Sequence, residues 1–170
     1  MRAVTGWLKA VAVSGALAFA LTWILRPEAR AVEDRPVWGA AAYPVTLTTE
    51  RLPDLLANLS LHSQLRAVKW DSGNLFVDLS VTEPWTADAV YADWVAIMRR
   101  AFLHTTNVQH VFVRVAYAPG NARPVLVAAL DAERGNPERL ARLREAPPNA
   151  YKALVHEMGH VQKGPLWWGR

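Results

Sequence analysis

His156-Glu157-Met158-Gly159-His160 is the segment whose residue types and spacing most directly spell out a chemistry. Two imidazoles four residues apart on a helix sit one above the other, so both can reach one zinc ion. A carboxylate between them can serve as general base on a metal-bound water. That reading makes His156 and His160 metal ligands and Glu157 the base. It needs a helix running on from Pro147-Pro148-Asn149 to a stop at Gly164-Pro165. At ~100° per residue Tyr151, Leu154, Val155, Met158 and Val161 then form the apolar face, and the two His point away from it.

Over residues 153–162 the chain resembles the zincin metalloproteases: Ala153 stands upstream, Met158 follows the Glu, and Val161-Gln162 follow the second His. The resemblance implies a zinc-dependent hydrolase. It departs from the family at the third protein ligand. The metzincin pattern asks for Gly at 163 and His at 166, where this chain has Lys163 and Leu166, and no acidic residue follows Glu157. Glu145, His110 and His104 are the upstream groups that could fill the place. Two protein ligands alone make a weaker, adventitious site. The competing reading of the motif is a solvated helix face.

Other chemistry-bearing residues form no further motif. His62, His104 and His110 lack metal-ligand spacing, although His104 and His110 flank one turn and could meet. Arg134, Arg139, Arg142 and Arg144 share their stretch with Glu138 and Glu145, the pattern of a solvated helix face. Asp71/Asp78 and Asp88/Asp93 read as turn, strand and helix-surface acids. There is no G-x-S-x-G, phosphate loop or G-x-G-x-x-G. Trp167-Trp168 can dock on a partner, on a membrane interface or back on the domain's own sheet.

The elements that must hold these groups follow from hydrophobic period. Residues 43–48 suit a short strand, and Pro53 opens a short helix through Leu59. Leu65–Trp70 and Leu75–Val81 make a hairpin about Asp71-Ser72-Gly73-Asn74. Thr86 caps a helix whose stripe runs Ala87, Val90, Tyr91, Trp94, Val95, Met98, Ala101, Phe102. Val108–Ala118 and Val125–Asp131 are strands, and Asn136-Pro137 opens a helix to about Ala146. The order β-α-β-β-α-β-β-α-α predicts an α+β domain: a small mixed or antiparallel sheet, one long packing helix and two C-terminal helices. Residues 66–115 also look like the GerMN-type domain of exported sporulation and germination proteins, through Val77-Asp78-Leu79, a long helix and the strand near Asn107–Val115. That likeness implies a binding role.

Composition sets the address. The chain has 170 residues and no Cys, which excludes disulfides, a thiol nucleophile, a Cys-ligated zinc finger and an iron–sulfur cluster. Arg2, Lys9 and Arg26 stand in an acid-free first 26 residues, and the remainder is nearly balanced at 16 basic and 15 acidic. The basic excess therefore reads as a targeting signal, and no nucleic-acid partner is expected. Ala10–Leu25 is uncharged; extended back to Val4 it makes 22 residues, enough to cross a ~30 Å hydrocarbon core. Trp7 and Trp23 sit near its ends, and the positive amino end belongs in the cytoplasm. Residues 1–26 are thus a membrane anchor, 27–42 a linker and 43–170 an extracytoplasmic domain. The alternative is a signal peptide cleaved after Ala31 in Ala29-Arg30-Ala31, giving a secreted protein.

The leading expectation is a single-pass membrane protein whose outer domain contacts an envelope protein or polymer without catalysis and without a cofactor. Its partners are the bilayer, through residues 4–25, and that envelope component, with Trp167 and Trp168 as contact residues. The alternative is the zinc hydrolase of His156, Glu157 and His160.

Overall fold

The computed structural model describes residues 44–120 and 123–167. The expected anchor, cleavage site and linker lie outside them, as does Trp168. Among the described residues no helix is long and apolar enough to cross a membrane.

The architecture is α+β, with one five-stranded mixed sheet. Its strands are β1 (Gln64–Asp71), β2 (Asn74–Val81), β3 (His110–Tyr117), β4 (Val125–Glu133) and β5 (Gly159–Lys163). Their spatial order equals their chain order. β2 and β3 run parallel at the centre, and every other neighbouring pair is antiparallel. The helices are α1 (Leu52–Leu56), α2 (Ala87–His104), α3 (Pro137–Glu145) and α4 (Tyr151–Met158).

Local chemistry explains most of these boundaries. The β1–β2 turn puts Ser72 and Gly73 at φ 49° and 91°, both in the left-handed region that a two-residue hairpin of this hand requires. The Gly73 carbonyl then accepts from the amides of Gln109 and His110, which fixes the start of β3 beside β2. The Thr86 hydroxyl accepts from Ala89 N and the Asn136 carboxamide from Arg139 N, each satisfying an orphan donor of the helix it opens. Arg99 reaches across to α3 and donates to the Leu143 and Ala146 carbonyls and to the Tyr151 hydroxyl.

One face of the sheet is covered. Leu75, Val77 and Leu79 of β2, Val111, Val113 and Val115 of β3, and Val127, Leu130 and Ala132 of β4 pack with Val90, Trp94, Ile97 and Met98 of α2. Trp167 is part of this core, 9% exposed, and lies parallel to Trp94 at 6.4 Å and edge-on to Tyr91. It therefore folds back on its own domain instead of standing out as a contact residue.

Two expectations are corrected. Of the strand expected over 43–48, the described residues 44–48 contribute only an isolated bridge from Val45 to Thr105. The last helix stops at Met158, and Gly159–Lys163 is the fifth strand. The switch has a steric cause. A Cβ on Gly159 would fall onto the Asp131 carbonyl and within 2.8 Å of the Ala132 Cα, so only glycine lets the chain turn from α4 directly into a ladder with β4. Gly159→Ala should cost the full chain about 1–3 kcal/mol through over-packing. The check is the midpoint of urea denaturation, which falls if β5 is seated this way and stays put if it is not.

Candidate functional site

Strand alternation sends the other half of the sheet's side chains to the face away from α2. Register lines them up in rows. One row runs Lys69, Phe76, Phe112, Asp131, His160 across all five strands. The next runs Ala67, Asp78, Arg114, Ala129, Gln162. Among the described residues no helix lies over these rows, and all of their members except Ala67 line a shallow depression of about 570 Å³.

The centre of this open face is apolar. The Phe76 and Phe112 rings are 4.9 Å apart and within 11° of parallel. That distance is the spacing between strands, too short for two rings lying flat side by side, so they stand up from the sheet face to face. His110 continues the arrangement at 6.1 Å and 16° from Phe112. Their outward edges form a ridge, with Phe76 39% exposed. Charge surrounds it. Arg114 holds Asp78 in a two-pronged ion pair at 2.8 and 2.9 Å. Lys69 sits 6.0 Å from the Phe76 ring centre and 3.8 Å from Asp71. Asp131 is exposed and has no ion pair among the described residues.

The three residues of the zinc reading do not converge. His156 lies on α4, on the helical side, where its Nε2 is 3.4 Å from the Tyr91 hydroxyl. Burial, with the Asp88 carboxylate adding to it, pushes that hydroxyl above the usual tyrosine value. His160 lies beyond the helix end, in β5 opposite Asp131, on the open side. Two imidazoles on opposite sides of one sheet cannot share an ion. Glu157 is turned toward α3, paired with Arg142 and 3.9 Å from Arg139. The upstream candidates lie apart as well. His110 belongs to the open face, and His104 ends α2, where burial, then Arg100 and Arg144, hold it below the usual imidazole value. Among the described residues no group of three or more His, Asp or Glu could hold a metal ion.

One polar cluster was not legible as such. Asp93 is 1% exposed, so it is not the helix-surface acid its composition suggests. Its carboxylate accepts from the backbone amides of His62 and Ser63 at 2.8 Å each and lies 3.0 Å from His62 Nδ1. It thereby ties the segment entering β1 to α2. The available signal was its place three residues after Val90 and one before Trp94, on the buried stripe, where a carboxylate must capture donors.

No protein-family model matches the chain, and no curated protein or solved structure does. Both resemblances are therefore withdrawn. The zincin signature fails because α4 ends between its two histidines. The GerMN-type likeness fails at the family level, since a hairpin, helix and strand recur in many unrelated sheets.

The purified full chain, dialysed against a mild chelator, should hold well below one zinc per chain by elemental mass spectrometry. His156→Ala and His160→Ala should leave that figure unchanged. About one zinc per chain, lost in either variant, contradicts the placement of the two imidazoles.

Proposed function

We propose that this chain is a non-catalytic contact module, tethered to the membrane by residues 4–25 and carried outside the cytoplasm, whose open sheet face binds an envelope protein. The uncovered face with its standing Phe76–Phe112 pair is the observation that carries this reading. Exposed apolar ridges rimmed by charge suit protein contact, where ring edges meet apolar or carbonyl groups. The same geometry argues for protein over polymer. A sugar or a nucleobase stacks on a flat ring face, and these two rings turn a face to each other. The tether is read from the uncharged run and its cationic start.

The absence of native cysteine makes both halves testable in living cells. Arg66→Cys should react with a membrane-impermeant maleimide added to intact cells, on a chain that fractionates with membranes. A mature chain found outside the cells, starting after Ala31, would replace the tether by secretion. A photo-crosslinking residue at Phe112 should trap a protein of discrete mass, and adding Phe76→Glu should reduce that product at least tenfold. Labelling only after lysis contradicts the address. A crosslink pattern indifferent to Phe76→Glu contradicts the contact surface.

A further inference from the structure

We propose that the open face packs against the same face of a second copy of this chain, in a two-fold dimer whose axis runs along the strands between β2 and β3. This rests on the reading of that face as the contact surface and names the envelope protein it meets.

The open face is self-complementary about this axis. A two-fold axis along the strands lays β2 of one copy over β3 of the other, and β1 over β4; each row's residues on these four strands then meet the same row of the second copy, and β5 lies outside the overlap. In the first row Phe76 meets the second copy's Phe112, and Lys69 meets the second copy's Asp131, which has no ion pair within its own chain among the described residues. In the second row Asp78 meets the second copy's Arg114, so two intrachain pairs become an alternating ring of four charges. Ala67 meets the second copy's Ala129, and these small residues leave room for the rings beside them. An unrelated surface has no reason to match itself at four consecutive positions about one axis. Asp71 and Glu133 would face each other as like charges, but they stand at the strand ends. There the ~30° crossing of packed sheets swings them apart and water screens them.

Size and direction agree. The four strands that overlap about this axis, of eight or nine residues each and about 4.8 Å apart, present roughly 500 Å² in projection. Side-chain relief raises the area removed from water toward the ~800 Å² per partner of a specific interface. The first described residues, bonded through Val45 to His104 and Thr106, lie at the end of the sheet where β3 begins. An axis along the strands keeps both copies' first residues at that one end, as two tethers in a single bilayer require.

The test is charge reversal in the full chain, purified in a mild detergent, with mass read by light scattering. The wild type should be a dimer at micromolar concentration. Lys69→Glu and Asp131→Lys should each weaken dimerisation at least tenfold, with unchanged circular dichroism. The double variant, in which each reversed charge again finds its opposite, should recover most of the loss. A monomeric wild type overturns the dimer, as does a dimer untouched by either reversal or a double variant no better than the singles. If the dimer fails while Phe112 still crosslinks to a different protein in cells, only the identity of the partner falls. If Phe112 crosslinks to nothing, the contact surface falls with it.

Discussion

A sheet of this kind has two faces, and among the described residues helices cover only one. Burying the valines and leucines of β2, β3 and β4 beneath α2 makes the core. The period-two geometry of strands then forces every intervening side chain to the opposite face. Phe76 and Phe112 are there because Val77 and Val113 are inside. The exposed ridge is thus a consequence of how the core is built, and its charged surroundings are what this sequence has placed in the positions the core leaves over.

The central parallel pair fixes the arrangement of that face. α2 carries the chain from the end of β2 back to the start of β3, so Phe76 and Phe112 fall in register as immediate neighbours. Asp78 and Arg114 do the same one step along and close an ion pair. That pair is exposed and contributes little stability by itself. Its value lies in holding a defined pattern of charge beside the aromatic ridge.

Much of the fold was legible in local sequence. Ser72-Gly73 demanded a tight hairpin, Thr86 and Asn136-Pro137 announced their helices, and the stripe of α2 gave its buried side. β5 was not legible, because His156 to Val161 repeats at helical spacing and a five-residue strand carries little period of its own. What ends α4 is a space constraint at Gly159, set by β4 some thirty residues earlier, and no local pattern records it. The histidine motif was therefore correct as a string and wrong as a site. The open face is half legible: Phe76 and Asp78 alternate with Leu75 and Val77 along the chain, but the exposure of that face depends on no other element arriving to cover it.

The central claim is that this face is in contact with protein where the chain works, and the direct measurement is its accessibility there. Single cysteines at Ala67, on the open face within β1, and at Lys152, on α4, can be labelled with a small maleimide in native membranes and again in the detergent-diluted chain. Ala67→Cys should react several-fold faster after dilution, while Lys152→Cys keeps one rate throughout. Equal rates at Ala67→Cys in both states would mean that the open face meets nothing in the membrane, and would contradict the claim.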